Sequence, residues 1–123
     1  MKKFKKILMG FMCCLMCLGL CSVKTNAAEI LVNSTYCETT IASSRLTFSS
    51  HARPYSSSMG TYKVESRGTY TTAFGDTSKD YSASGTSGAY ITNKALPSGG
   101  TKWKSVRTYY YVNGNAIHVN TVS

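Results

Sequence analysis

Apolar and polar positions alternate most clearly near the end of the chain. From Trp103 to Val112 and from Ala116 to Val122, Tyr, Val, Ile and Thr recur with a period near two. Asn113-Gly114-Asn115 separates the two runs. An Asn-Gly pair between β-rich runs predicts a hairpin, because both residues tolerate the positive φ of a tight turn. Strict alternation places Trp103, Arg107, Tyr109 and Tyr111 on one face of the first strand. Val106, Tyr110 and Val112, with Lys104 and Thr108, take the other.

The same period recurs upstream in shorter pieces. Glu29–Val32 predicts a first or edge strand. Tyr36–Phe48 predicts one strand interrupted at Ala42-Ser43-Ser44, or two strands. Ser49–Gly60 is Ser-rich, contains Pro54 and predicts a loop carrying His51, Arg53 and Tyr55. Thr61–Val64 and Thr69–Phe74 predict strands joined at Glu65–Gly68, and Gly75-Asp76 opens the next loop. Asp80–Ser84 and Gly88–Thr92 predict a hairpin about Gly85–Ser87, and Asn93–Lys102 a further loop. No long segment shows an apolar period of 3.6 residues. The expectation is an all-β fold, a small antiparallel β-sandwich of about seven strands, with turns every ~8 to 12 residues.

The first 27 residues read differently. Lys2, Lys3, Lys5 and Lys6 precede an uncharged apolar run, Ile7–Cys21, and Thr25-Asn26-Ala27 supplies small residues for cleavage. This is the pattern of a secretory signal peptide. The apolar run is shorter than the ~20 residues of a bilayer-spanning helix, so no stable transmembrane anchor is expected. The division is a signal peptide over 1–27 and one domain over 28–123, with a secreted, extracellular product. The alternative is a lipid anchor at Cys21, although Leu20 departs from the small residue that a lipobox places there. The short Lys- and Cys-rich leader looks bacterial. That discounts the sequon Asn33-Ser34-Thr35 as a glycosylation site.

Losing the leader changes the composition. Cys13, Cys14, Cys17 and Cys21 go with it and leave Cys37 alone, so no intramolecular disulfide framework remains. Cys37 is then either a small buried apolar side chain or the point of an intermolecular disulfide dimer. Five of the 14 basic residues also lie in the leader and none of the five acids does. That leaves nine against five, a net charge of +4. Such an excess suits weak attraction to anionic wall polymers or membrane surfaces. The basic residues are scattered, so no nucleic-acid partner is expected.

Residues that carry chemistry are few. Cys37 has no Gly-rich nucleophile turn, and no Gly-x-Ser-x-Gly elbow occurs. Two distant histidines, His51 and His118, and one Cys make no metal site, and Gly75–Asp80 lacks the alternating acids of a calcium loop. No cofactor is expected and no enzyme. The aromatic run is the better lead: with Arg107 in the same row, Trp103, Tyr109 and Tyr111 would form a ligand-binding platform if exposed, or a core face if buried.

In size, leader and Tyr/Ser/Thr/Gly-rich strands the chain resembles the lactococcin-like class of small secreted β-sandwich bacteriocins. The likeness is one of texture and carries no motif. It implies a bacteriocin-like factor. The function expected is non-enzymatic binding at the cell envelope to a wall polymer, glycan or surface protein. The alternative is a carbohydrate-binding or adhesion module using the Trp/Tyr surface, and a small hydrolase ranks last.

Overall fold

A computed structural model describes residues 29–123, so the leader assigned above lies outside the described residues. Eight strands follow one another: β1 (Ile30–Val32), β2 (Thr35–Ile41), β3 (Thr47–Pro54), β4 (Tyr62–Thr72), β5 (Gly75–Gly85), β6 (Ala89–Ala95), β7 (Gly100–Val112) and β8 (Asn115–Val122). They form two four-stranded sheets, ordered β1-β2-β3-β6 and β5-β4-β7-β8. Every pairing is antiparallel. The sheets face each other across one core, so the expected all-β, sandwich-like architecture is present, with eight strands rather than seven.

Two tight turns have the chemistry that the residues suggest. At the β7–β8 hairpin Val112 pairs with Asn115, and Asn113 and Gly114 have φ of 51° and 82°. At the β1–β2 hairpin Asn33 and Ser34, from the sequon, have φ of 49° and 58°. Positive φ at both central residues gives a turn whose twist matches that of the flanking strands.

Several expected loops are strand. β3 runs through Ser49–Pro54, because Ser50 and Ala52 are small enough to face the core and Pro54 comes last in the strand. The Glu65–Gly68 turn is absent, and β4 passes straight through it to turn at Ala73-Phe74. Gly75-Asp76 begins β5 rather than a loop. The Gly85–Ser87 link is not a hairpin, since β5 and β6 belong to different sheets. Asn93–Lys102 contributes to both β6 and β7, leaving only Leu96–Gly99 between them. Of the two readings of Tyr36–Phe48, the two-strand one holds.

Gly68 shows why composition misled. A Cβ built there would lie 2.4 Å from Cζ3 of Trp103, so the glycine makes room for the indole. Trp103 itself is wholly buried. Phe48 meets it edge-on at 4.8 Å between centroids, and Tyr70 and Tyr81 approach at 5.5 and 6.2 Å. Its Nε1 donates to the Lys94 carbonyl at 3.0 Å. This corrects the expected grouping of Trp103 with Tyr109 and Tyr111. Ser105 pairs with Thr69 but Trp103 pairs with Tyr70, so Lys104 is an extra residue in β7. One inserted residue reverses which face the following side chains take. Trp103 therefore joins Val106, Thr108 and Tyr110 inside.

The core also holds hydroxyls. Thr39 (β2), Ser50 (β3), Ser66 (β4) and Thr108 (β7) are buried, and their oxygens stand 2.7 to 3.2 Å apart across the two sheets. The Tyr110 hydroxyl meets Thr39 Oγ1 and donates to Asn120 Oδ1 at 3.0 Å. Burial pushes that phenol up to about 12. A buried hydroxyl is tolerable only with a partner, and here each supplies the next.

Two substitutions test this packing. Gly68→Ala is expected to cost roughly 1–3 kcal/mol, because the methyl overlaps the indole. Thr108→Val keeps the shape but removes the hydroxyl that Thr39, Ser50 and Ser66 share, leaving their bonds to one another and to Tyr110, at a cost of roughly 0.5–1.5 kcal/mol. Denaturant midpoints of the two variants against the parent read both values.

Candidate functional site

The outer face of the second sheet carries three of the four expected ligand-binding residues. Along β7, Arg107 and Tyr109 point away from the core and Tyr111 is partly exposed, while Trp103 is enclosed. The register sets the neighbours. Arg67 on β4 lies directly opposite Arg107, with Asp80 beyond it on β5 and Thr121 beyond Arg107 on β8. The next row is Ser82, Glu65, Tyr109 and Val119. Between these rows runs a shallow trough of about 530 Å³, bordered by Glu65, Arg67, Asp80, Arg107 and Tyr109.

Charge in the trough is unequally compensated. Arg67 donates from Nε and Nη2 to the two oxygens of Asp80, at 2.7 and 3.0 Å. Those bonds hold the Asp80 carboxyl below its usual range. Glu65 accepts from the Tyr111 hydroxyl at 2.8 Å and pairs with Lys63 at 3.1 Å. The Tyr111 bond, then Lys63, lower its pKa, and the Tyr111 phenol moves up in return. Arg107 donates only to the Thr121 hydroxyl, at 3.3 Å, and meets no carboxylate among the described residues. Like charges directly opposite each other in a sheet are unfavourable. Asp80 is taken by Arg67, and Glu65 by Tyr111 and Lys63, so Arg107 stands without a carboxylate beside the exposed Tyr109, an arrangement suited to an anion carried on a ring or chain.

A second cluster lies on the outer face of the first sheet. β3 was expected to be loop here, but its alternation turns His51 and Arg53 outward. Arg53 donates from Nε and Nη2 to the two oxygens of Glu29, each at 2.9 Å. His51 Nε2 shares the same carboxylate, and its Nδ1 lies 3.8 Å from Glu38. The Arg53 bond is the main cause that lowers the Glu29 pKa, opposed by partial burial and assisted by His51. Tyr36 lies beneath the Arg53 guanidinium at 4.3 Å, and the Tyr90 ring lies tilted beside His51 at 5.7 Å. Ligand atoms of Glu29, Glu38 and His51 come within 4.8 Å of one another, a set no spacing in the sequence announced. Arg53 already neutralises Glu29 and occupies both of its oxygens. The signal that could have found it was the alternation of His51 and Arg53 with the small residues Ser50 and Ala52.

Other singled-out residues stand apart. Cys37 is fully buried, and burial pushes its thiol up to about 12, far from a reactive thiolate. It faces inward while His51 faces outward, so the two make no pair. A folded chain also encloses this sulfur, which keeps it out of reach of a second chain. His118 stacks on Tyr110 at 5.7 Å in β8, and Asp76 pairs with Lys104 at 2.6 Å, away from Asp80's partner Arg67. Among the described residues no helix is long and apolar enough to cross a membrane. Comparison with protein-family models, curated proteins and solved structures finds no match.

The Glu29 cluster gives a pH test with a definite sign. A carboxyl whose folded pKa is depressed adds stability above its unfolded pKa, and that stability is lost as pH falls through the folded value. The melting temperature is expected to drop through the carboxylate range, and Glu29→Gln to flatten part of that drop. Melting curves of parent and variant between neutral and strongly acidic pH read the difference.

Proposed function

We propose that this is a small secreted bacterial protein that binds non-enzymatically at the cell envelope through the outer face of its second sheet. The ligand class is an anionic glycan or wall polymer. The observation that supports this reading is Arg107, a guanidinium without a carboxylate, standing in a trough beside Tyr109 and opposite Arg67. Guanidinium groups suit phosphate and carboxylate oxygens, and a phenol ring offers an apolar face to a sugar. The inertness of Cys37 agrees with a protein that acts by surface contact rather than by nucleophilic chemistry. A bacteriocin-like factor, killing related cells after binding them, is one form of this function.

The second reading is a carbohydrate-binding or adhesion module. With Trp103 in the core, its aromatic contact falls to Tyr109 and Tyr111. Neutral sugars would then bind as well as anionic ones, with little dependence on salt.

Binding to isolated cell walls and to an array of charged and neutral glycans tests both. Arg107→Ala and Tyr109→Ala are each expected to weaken binding by roughly five- to thirtyfold, the range of an interface anchor. Raised ionic strength weakens the anionic mode further. Parent-like binding by both variants removes the trough from consideration. Neutral-sugar binding that survives Arg107→Ala and fails with Tyr109→Ala selects the second reading. A killing assay on related bacteria tests the bacteriocin-like form.

A further inference from the structure

Cations and carboxylates are unevenly placed along the strands. From the Gly68 row towards the Ala73-Phe74 turn lie Arg45, Lys79, Lys102 and Lys104, against a single carboxylate, Asp76. The other half holds Arg53, Lys63, Arg67, Lys94 and Arg107 against Glu29, Glu38, Glu65 and Asp80, with Lys94 Nζ beside Tyr81 in the Ser66 row. Of the net charge of +4 on residues 29–123, +3 therefore resides in the half that ends at Phe74. Asp76 is itself bound by Lys104.

The same end carries the most exposed apolar side chain described. Phe74 is 100% accessible at the tip of the β4–β5 hairpin. Its backbone is pinned there: Phe74 N donates to Thr72 Oγ1 at 3.1 Å, Thr72 Oγ1 donates to the Gly75 carbonyl at 2.7 Å, and Gly75 has φ of 115°. Leu46, about half exposed, lies in the β2–β3 connection at this end, which is tied to β7 by Trp103 N donating to the Arg45 carbonyl at 2.8 Å.

A fully exposed phenylalanine on a fixed turn, backed by flexible cations, has the chemistry of a membrane contact. The ring can enter the boundary between headgroups and acyl chains while lysines reach anionic headgroups. A protein partner would need a broader apolar centre than one projecting ring supplies. We propose that the protein docks end-on to bilayers containing anionic lipids, with Phe74 inserted and Lys102 and Lys104 over the headgroups. This contact is separate from the Arg107 trough, and either can fail without the other.

Vesicle sedimentation of the exported protein, recovered from the medium, tests it. Vesicles of equal phosphatidylcholine and phosphatidylglycerol are expected to bind the protein, and pure phosphatidylcholine vesicles not to. Phe74→Ser should weaken binding by about tenfold. Lys102→Gln should cost about fivefold. Arg107→Ala and Tyr109→Ala should bind vesicles like the parent. Phe74→Trp gives a positive signal: brominated lipids should quench emission beyond the level seen with the buried Trp103 alone. Soluble glycerol phosphate should compete poorly, because it offers no acyl boundary. The proposal falls if anionic vesicles do not bind, if Phe74→Ser binds like the parent, if Phe74→Trp shows no added quenching, or if glycerol phosphate displaces the protein as well as vesicles do.

Discussion

The enclosure of the Trp103 indole between two sheets is the constraint on which the rest of this structure depends. Phe48 comes to it from the first sheet, Tyr70 and Tyr81 from the second. An aromatic side chain of this size buries about 150–250 Å², worth roughly 4–6 kcal/mol at the usual area coefficient. Reaching that position requires two concessions from the backbone. Lys104 must be inserted into β7 to turn the indole inward, and Gly68 must lack a side chain to receive it. The two features make sense only together, one in each of two neighbouring strands.

Beyond the indole the core becomes polar, and this shapes how the sheets fit. Thr39, Ser50, Ser66 and Thr108 come from four strands and both sheets, and each hydroxyl answers another. Apolar contact is insensitive to small sliding, but hydrogen bonds between short side chains are not. The hydroxyl layer therefore sets the registration of one sheet over the other, while Trp103, Phe48 and their neighbours supply the burial. It also confines longer polar and charged groups to the outer faces, where Glu29, Glu65, Asp76 and Asp80 each pair with a Lys or Arg.

Those outer faces differ. On the first sheet Arg53 binds both oxygens of Glu29, and His51 bridges Glu29 towards Glu38. On the second, Arg67 faces Arg107 and pairs with Asp80 on its far side, which leaves Arg107 without a carboxylate beside Tyr109. The long axis adds a second asymmetry, with lysines gathered towards the Phe74 turn. The first asymmetry lies in the shallow trough and the second at the open end of the β4–β5 hairpin.

How much of this was legible beforehand follows from the range of each interaction. Asn113-Gly114 announced its hairpin because the turn depends on the φ preferences of adjacent residues. The all-β class was equally readable, from alternation and the lack of a helical period. Loops were over-assigned at Ser49–Pro54 and Glu65–Gly68 because small polar residues and glycine suit both turns and crowded strand interiors. Only the tertiary structure told them apart, since crowding depends on what packs opposite. The face taken by Trp103 was hidden for the same reason: a bulge is defined by the partner strand, and alternation counted along one strand does not see it. Arg107, Tyr109 and Tyr111 were found by that count because no inserted residue separates them, whereas Glu29 reached His51 and Arg53 only through pairing between strands distant in sequence.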